Sequence, residues 1–356
     1  MSNNLLDIYT DYLISQNQYA TATGLSALLE GQISHGRVSR FLNNNQFGSK
    51  DLWQYINPEI GRHEAEEGVF IIDDSIEEKP YTDENEIVCW PFSHAKGRCV
   101  KGINLLSGMV RYGAIVFPID YDVISKDLHF CDLKTKKEKR QSSTTKNQRF
   151  RSLIQQAITN QVKFDYILSD NWFGAKDNME FIHYEVKKKF IMGLKSNRLI
   201  ALSLDDKKKG QYQNLNTLAL KAGEKRIVWL KDLSFPVSLI TKIFKNEDGS
   251  TGSLYLVTND LESSTDPIYT IYKKRWKIEE YHKSIKQNAS LTKSPTKIER
   301  SQRNHIFASI IAFCKLEMLC IKTSLNHFAL KYKLLIKANQ MAFQELRILR
   351  EKAMSA

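Results

Sequence analysis

Four polar side chains stand at regular spacing in the stretch YKKRWKIEEYHKSIK, residues 272–286. Tyr272, Arg275, Glu279 and Lys286 would all lie within an arc of about 60° on a single α-helix, because a helix turns about 100° per residue. One carboxylate, two cations and a phenol would then face the same way. The pattern is typical either of a functional site or of a solvated helix face with an i, i+4 ion pair.

The same four residues resemble the YREK signature, Tyr-x2-Arg-x3-Glu-x6-Lys, of DDE transposases of the insertion-sequence-four type. The resemblance implies that Glu279 is the third catalytic carboxylate. It also implies that Tyr272, Arg275 and Lys286 contact phosphates of the transposon end. Two aspartates must then lie upstream, each at the end of an apolar strand. Glu280 would point about 80° around the helix, outside the shared arc, and is left out of the predicted site.

Two apolar runs upstream end in carboxylates. Residues 69–75, VFIIDDS, begin with an apolar run that suits both faces of a strand buried between helix layers, and residues 164–170 form a second run that ends in Asp170. Ligands of α/β sheets bind beyond the carboxyl ends of strands, so Asp73, Asp170 and Glu279 would share a site if the two strands were neighbours. Taken singly, a strand-end aspartate is more often a cap or a turn residue.

Asp73 and Asp74 cannot both face this site, because side chains alternate between the two faces of a strand. Asp73 directly follows the apolar run. In the family that the sequence resembles, the first aspartate is often followed two positions later by Ser or Thr, here Ser75. We therefore predict that Asp73 is the first carboxylate and that Asp74 lies in the turn after the strand.

Three carboxylates without His or Cys ligands favour a hard divalent cation, so we expect Mg²⁺ or Mn²⁺ rather than Zn²⁺. Two such ions roughly 3.5–4 Å apart, bound by Asp73, Asp170 and Glu279, can activate a water or a 3′-hydroxyl for phosphodiester substitution. Some members of the family that the sequence resembles stack a flipped base on a tryptophan of an inserted domain. Trp229 is the candidate here, and a core aromatic is the alternative interpretation.

The charge balance indicates a polyanionic partner. The 356 residues include 52 Lys and Arg against 40 Asp and Glu, a formal net charge of +12, which is typical of proteins that bind nucleic acid or an anionic membrane surface. The sequence has no apolar stretch of about 18 residues and no visible secretory signal. Its five cysteines form no C-x2-C pair and are expected to be reduced thiols. With the resemblance, these features predict a DNA-associated protein of the bacterial cytoplasm with no membrane partner.

The first 62 residues have the pattern of short helices that could bind DNA. Two helices, at residues 22–29 and 34–42, are joined by a turn at residues 30–32, and Ser34 is the expected N-cap of the second. This order favours a helix-turn-helix with His35, Arg37 and Arg40 on the polar side of its second helix. A plain helical bundle with ordinary surface cations is the alternative.

The order of elements predicts an α/β fold, and the resemblance implies an RNase H-like catalytic core interrupted by a β-rich insertion, with an N-terminal helical DNA-binding domain and C-terminal helices. Predicted strands in the insertion lie at residues 190–193, 226–230, 237–244 and 253–258. The basic stretch 134–151 is expected to be a mobile surface loop leading into a helix at 150–161. Later helices are expected from about residue 304 and at residues 332–352, and the last could dock on the body or on a second subunit. The expected domains are 1–62 (helical), 63–175 (core), 176–268 (insertion), 269–325 (core) and 326–356 (C-terminal helix).

These interpretations together predict a transposase of an insertion sequence. It would bind terminal inverted repeats and target DNA as a homodimer, and would cleave and transfer strands by a two-metal-ion, cut-and-paste reaction. One alternative is an RNase H-like metal-dependent nuclease without strand transfer. Another is a DNA-binding protein derived from a transposase, against which the intact Asp73, Asp170 and Glu279 argue.

Overall fold

The computed structural model describes residues 2–64, 67–134, 136–218, 220–221, 223–245 and 248–354. The chain forms two compact units. The sheet unit comprises Asn57–Ile76 and Ile103–Glu279, and the helical unit comprises Met1–Ile56, Glu77–Gly102 and Glu280–Ala356. Both ends of the chain therefore belong to one unit. The predicted domain boundaries stay predictions.

Helices dominate both ends of the chain. In chain order they are α1 (Ser2–Ser15), α2 (Ala22–Leu28), α3 (His35–Asn44), α4 (Ser49–His63), α5 (Lys146–Thr159), α6 (Lys176–Glu180), α7 (Leu204–Lys208), α8 (Thr265–Lys273), α9 (Trp276–Gln287), α10 (Glu299–Thr323) and α11 (His327–Met354). Across the described ranges, no helix is both long enough and apolar enough to cross a bilayer.

The strands all lie between residues 69 and 258 in the part of the chain that the structure describes. They are β1 (Val69–Glu78), β2 (Val88–Cys89), β3 (Phe92–Ser93), β4 (Arg98–Cys99), β5 (Gly102–Tyr112), β6 (Ile115–Val123), β7 (Leu128–Asp132), β8 (Lys137–Gln141), β9 (Tyr166–Ser169), β10 (Lys189–Leu194), β11 (Leu199–Ala201), β12 (Gln213–Asn214), β13 (Lys225–Leu230), β14 (Val237–Lys245) and β15 (Thr251–Thr258).

A large mixed sheet organises the sheet unit. Its strands follow the order β12-β11-β13-β14-β15-β10-β9-β1-β5, and β6 also pairs with β5. The central strand β9 is parallel to both β1 and β10, whereas the strands from β15 to β12 continue the sheet in antiparallel pairs. The structure thus confirms the α/β class and the prediction that the two strands preceding the aspartates are neighbours. The four strands predicted in the β-rich segment are β10, β13, β14 and β15.

The central strands are buried on both faces, as expected from their apolar sequences. Val69, Phe70, Ile71 and Ile72 of β1 are all fully buried, as are Ile167 and Leu168 of β9. The strand β1 nevertheless continues to Glu78, past its apolar run, because pairing with a neighbouring strand and not hydrophobicity alone sustains it. The prediction that Asp74 lies in a turn is therefore wrong, since Asp74 is a residue of β1.

The basic stretch folds differently from its prediction. Its first part contributes to an antiparallel hairpin of β7 and β8, and α5 begins at Lys146 and not at residue 150. Thr145 caps this helix: its side chain accepts a hydrogen bond from Gln148 N, while the Gln148 side chain accepts one from Thr145 N at 2.8 Å. A capping box supplies side-chain acceptors for the backbone N–H groups at the helix start and so fixes where α5 begins.

The N-terminal helices of the helical unit pack on α10. Tyr9 places its hydroxyl 2.9 Å from His305 Nδ1, and the Phe47 ring stacks on Phe307 with centroids 4.7 Å apart. Asn304 donates hydrogen bonds to the carbonyls of Leu42 and Asn45, both at 2.7 Å. Buried polar and aromatic contacts of this kind tie α1 and the end of α3 to a helix that follows them by more than 250 residues.

The helices α2 and α3 form close to their predicted bounds. Glu30 and Gly31 have positive φ angles of 50° and 78° in the turn between them, and Ser34 Oγ caps α3 by accepting a hydrogen bond from Arg37 N at 3.3 Å. Val38, Phe41 and Leu42 form the buried side of α3, whereas His35, Arg37 and Arg40 are exposed. DNA binding by this exposed side stays a prediction.

The helices α10 and α11 both begin earlier than predicted. They start at Glu299 and His327, and not at about residues 304 and 332. Most of α10 is buried, whereas every residue of α11 from position 332 to 354 is exposed except the half-buried Leu335. The amphipathic pattern of α11 therefore lies on a helix whose apolar side is largely uncovered in this chain.

Candidate active site

The pairing of β1 with β9 sets the first two carboxylates side by side. Val69 is level with Tyr166 and Ile71 with Leu168, so Asp73 and Asp170 each follow the last of these paired residues by two positions. Burial, followed by the charge of Asp170, raises the pKa of Asp73 to about 7, although the Arg275 guanidinium acts in the opposite direction. Asp73 is only 8% exposed. Two carboxyl groups this close and this buried do not both ionise easily unless a cation joins them.

Arg275 connects the first aspartate with the glutamate. Its Nη1 atom lies 3.1 Å from Asp73 Oδ2 and 3.4 Å from Glu279 Oε1. The guanidinium carbon is 5.7 Å from the centroid of the Tyr272 ring, and burial raises the pKa of this phenol. The structure thus brings Asp73, Asp170, Glu279, Arg275 and Tyr272 together within the sheet unit.

The signature residues do not lie on one helix, and that prediction is wrong. Helix α8 ends at Lys273 and α9 begins at Trp276. Between them the hydrogen bonds join residues three apart: Arg275 N donates to Tyr272 O at 2.9 Å, and Ile278 N donates to Arg275 O at 3.0 Å.

This tight turn has a packing reason. Such a turn has 3.0 residues instead of 3.6, so each residue advances about 120° and not 100°. A continuous helix would put Tyr272 and Ile278 about 120° apart, yet both are buried. The tighter turn brings them toward one side and places Arg275 at the junction.

The loop after β9 is held tightly against β10. Trp172 N donates a hydrogen bond to Asp170 Oδ1 at 2.9 Å. Burial raises the pKa of Asp170, and this hydrogen bond offsets part of that rise. A Cβ atom on Gly193 would come within 2.8 Å of Asn171 N, and one on Gly174 within 2.8 Å of Gly193 O. Glycine at both positions therefore allows the loop to approach closely and to fix the carboxylate of Asp170.

Lys146 and Trp172 complete the surroundings of the carboxylates, although neither residue belongs to the YREK signature or to the predicted site. Lys146 Nζ lies 2.9 Å from Asp74 Oδ2 and 4.6 Å from the centroid of the Trp172 ring. Asp74 thus has its own cation, whereas Asp73 faces Arg275. One signal was available: the sequence TKNQ at residues 145–148 fits a capping box and would have placed Lys146 at a helix start.

The remaining predicted residues lie elsewhere. Lys286 belongs to the helical unit. Burial raises the pKa of Glu77 in that unit, and the charges of Lys79 and Lys286 offset part of the rise. Arg37 and Arg40 also belong to that unit. Trp229 lies on β13, half-buried, with Lys207 Nζ 4.6 Å from its ring centroid.

The carboxylate cluster fits divalent cations by the chemistry of its donors. Asp73, Asp170 and Glu279 offer only oxygen ligands, which suit Mg²⁺ and Mn²⁺. The raised pKa of Asp73 indicates electrostatic repulsion that a bound cation would relieve. Glu279 is the most accessible of the three carboxylates, with 42% of its side chain exposed.

Two family models match the chain. The model described as "DDE superfamily endonuclease" matches residues 2–213, and the model described as "Transposase DDE domain" matches residues 126–314. Each covers more than half of the chain, so the protein belongs to the DDE superfamily of endonucleases and transposases. This class consists of enzymes of the polynucleotidyl transferase and endonuclease type, which use divalent metal ions, and it is consistent with an RNase H-like core.

A search of solved structures gives a distant similarity to the Drosophila P element transposase strand transfer complex. The TM-score is 0.26 and the identity 11%, over 51% of this chain and 35% of that one. The chain thus spans about a third of that transposase, and a similarity of this size carries no argument about function. No curated protein matches the sequence. The insertion-sequence-four type stays a prediction that rests on the YREK residues.

Proposed function

We propose that the protein is a transposase of an insertion sequence of the insertion-sequence-four type, which binds terminal inverted repeats and performs cut-and-paste cleavage and strand transfer of DNA. The observation that carries this proposal is the placement of Asp73 on β1 and of Asp170 directly after the adjacent parallel strand β9, with Arg275 between Asp73 and Glu279. Membership of the DDE superfamily supports it. Its place of action would be the DNA of a bacterial cytoplasm.

Asp73, Asp170 and Glu279 would hold two divalent ions, Mg²⁺ or Mn²⁺. Ions bound there would lower the pKa of an attacking water or 3′-hydroxyl and neutralise charge on the phosphate and the leaving oxygen. The protein's own part is to hold three carboxylates in place before substrate arrives. The loop at Gly174 and the hydrogen bond from Trp172 N do this for Asp170.

Arg275 is the cation best placed to contact a phosphate beside Asp73. Its guanidinium neutralises Asp73 and Glu279 in this structure, and only 15% of its side chain is exposed. A buried, preorganised cation stabilises the charge that develops on a phosphoryl group more strongly than a solvated one does. The ring of Tyr272 lies beside this guanidinium, with its centroid 5.7 Å from the guanidinium carbon.

Binding of the DNA duplex would involve a wider basic surface. Lys286 of α9 and the exposed Arg37 and Arg40 of α3 are the proposed phosphate contacts outside the carboxylate cluster, and the net charge of +12 supports a polyanionic partner. Trp229, which is half-buried and therefore not a fully covered core aromatic, is the candidate for stacking on a flipped base.

The proposal includes a homodimer in the complex with DNA. Leu335, Ala342, Leu346 and Leu349 of α11 lie within an arc of about 60° on one side of the helix. Leu346 and Leu349 are 53% and 54% exposed. An apolar stripe with this spacing is what paired helices bury between them.

The test is an assay with DNA ends taken from the sequences that flank the coding region. Wild-type protein should cleave such ends only with Mg²⁺ or Mn²⁺ and should join them to a target plasmid. Asp170→Asn and Glu279→Gln should lose cleavage and keep duplex binding. Full cleavage by either variant would contradict the role of that residue.

The same assay separates the alternatives. Metal-dependent cleavage without joining would indicate an RNase H-like nuclease. Duplex binding without cleavage by the wild-type protein would indicate a DNA-binding protein derived from a transposase.

A further inference from the structure

We propose that Glu317, Cys320 and His327 form a second metal site at the junction of α10 and α11, which binds transition-metal ions such as Zn²⁺ or Co²⁺. One ligand atom from each residue lies within 4.8 Å of the others, close enough for a single ion to bind all three. This junction cluster belongs wholly to the helical unit. It uses none of the residues assigned to DNA cleavage, so the inference stands or falls independently of the proposed function.

Helix geometry brings the three residues together. Glu317 and Cys320 are three residues apart and therefore neighbours on one side of α10. The helix α10 is ended by Ser324, whose φ of 57° is left-handed and whose N–H donates to Cys320 O at 2.8 Å. The chain then reverses, and His327, the first residue of α11, folds back onto Glu317 with Nε2 2.9 Å from Oε2.

The imidazole of His327 is held as metal-binding histidines are. Its Nδ1 lies 2.7 Å from Ser284 Oγ, which also accepts a hydrogen bond from Asn288 Nδ2 at 3.0 Å. The ring is buried and packs edge-on against Phe313 with centroids 4.8 Å apart. A histidine whose second nitrogen has a fixed partner presents the first nitrogen to an ion in a set direction.

The donor set selects the class of ion. A thiolate and an imidazole together with one carboxylate suit Zn²⁺ or Co²⁺, whereas Mg²⁺ and Mn²⁺ prefer oxygen ligands alone. Three protein ligands leave a fourth tetrahedral position for water. Cys320 and Glu317 are partly exposed, which provides a path for the ion to enter.

An ion bound here would fasten the start of α11 to α10. Near the start of α11, His327 and Lys331 are buried, but the length of the helix from residue 332 is exposed apart from the half-buried Leu335. A metal bond at its base would therefore stabilise the direction in which the exposed length projects. The simpler interpretation is a histidine–glutamate ion pair that holds the junction without any ion.

The experiment uses the whole protein, free of affinity tags, after removal of metals with a chelator. Co²⁺ should bind with one equivalent that shows thiolate-to-cobalt charge-transfer absorption, and Zn²⁺ should displace it. Cys320→Ser should abolish this absorption. His327→Gln and Glu317→Gln should each weaken binding by about tenfold or more.

Two matched controls accompany these variants. Cys131→Ser changes an exposed cysteine of β7 and should leave the absorption unchanged. Asp170→Asn changes the carboxylate cluster of the sheet unit and should also leave it unchanged. A second measurement is the melting temperature, which Zn²⁺ should raise in wild-type protein but not in Cys320→Ser.

Three outcomes would overturn the proposal. They are an absorption that survives Cys320→Ser, an absorption lost with Cys131→Ser, and the absence of a Zn²⁺-dependent rise in melting temperature in a folded wild-type protein. In the last case the junction would be an ion pair only.

Discussion

At the scale of single residues, Arg275 serves as the cation of the carboxylate cluster. It contacts Asp73 and Glu279 in the place where divalent ions are expected to bind. We expect Arg275→Ala to bind Mn²⁺ at least as tightly as wild-type protein, because a competing positive charge is gone. Cleavage of DNA ends should nevertheless fall by roughly 10²-fold, since the transition-state phosphate loses its cation. Mn²⁺ titration and single-turnover cleavage measure the two effects separately.

The control for this prediction is Lys273→Ala, which removes an exposed cation two residues earlier, beside the ring of Tyr269. This variant should change neither the affinity for Mn²⁺ nor the rate of cleavage by more than a small factor. If Arg275→Ala instead loses its cooperative thermal transition, the residue is structural and its role at the phosphate is wrong.

Asp73 and Asp74 provide the sharpest comparison in the cluster. Asp73 faces Arg275 and senses the charge of Asp170, whereas Asp74 is paired with Lys146 at 2.9 Å. We expect Asp73→Asn to reduce cleavage by roughly 10³-fold or more and Asp74→Asn to reduce it by less than about tenfold. Metal-dependent nicking of a plasmid is the readout. A dead Asp74 variant beside an active Asp73 variant would move the first carboxylate by one residue.

The pKa of Asp73 also predicts a pH dependence of stability. Because the folded protein raises this pKa from 3.8 to about 7, it binds the Asp73 proton more tightly than the unfolded chain does. This contribution stabilises the metal-free protein fully below about pH 4 and is lost as the pH rises toward about 7. Urea unfolding with a chelator present measures the free energy of unfolding at each pH. Asp73→Asn should remove this part of its decline with rising pH. A slope that Asp73→Asn leaves unchanged would assign the decline to other groups.

At the scale of elements, α5 depends on its first turn, which also carries Lys146. We expect Thr145→Ala to lower the free energy of unfolding by about 0.5–2 kcal/mol, because a helix N-cap loses its side-chain acceptor. Chemical denaturation measures the change. Ser152→Ala is the control: this exposed hydroxyl lies within α5 and donates to the Gln148 carbonyl, which the helix backbone can satisfy without it, so its loss should matter little. Equal effects of the two variants would argue against the cap.

The sequence predicts the elements that hold the aspartates because their apolar runs leave little choice. Residues 69–72 and 167–168 are apolar on both faces, and the structure buries both runs side by side. Local signals were sufficient for the cap at Ser34 as well. The proximity of Arg275 to Glu279 followed from helical spacing, which survives the break between α8 and α9.

Other features depend on contacts that local patterns do not contain. The break at Lys274 reflects burial of both Tyr272 and Ile278, and the core that buries them is made by distant segments. Lys146 meets Asp74 across 72 residues of chain. Similarly, a run of charged residues such as KEKRQ forms β8 because a partner strand pairs with it, although its composition favours a solvated loop.

At the scale of the whole molecule, the exposed part of α11 leads to a prediction about assembly. Replacing Leu346 and Leu349 with Glu should shift a homodimer toward monomer, because charged residues in a paired apolar seam cost several times the energy of surface substitutions. Light scattering after size-exclusion chromatography of the protein bound to DNA ends measures the mass of the complex. Gln344→Glu, on the polar side of the same helix, is the matched control. An unchanged dimer in the double variant would place the interface elsewhere.

The discontinuous helical unit has a consequence for the order of synthesis. The helices α1 and α3 leave the ribosome long before α10, on which they pack. At a rate of about 5–20 residues per second, they would wait roughly 10–50 s for that partner. Glu279 likewise emerges long after Asp73. A nascent chain that stops before residue 279 would therefore carry neither a complete carboxylate cluster nor a packed helical unit, so interrupted translation would yield products that lack the proposed cleavage site.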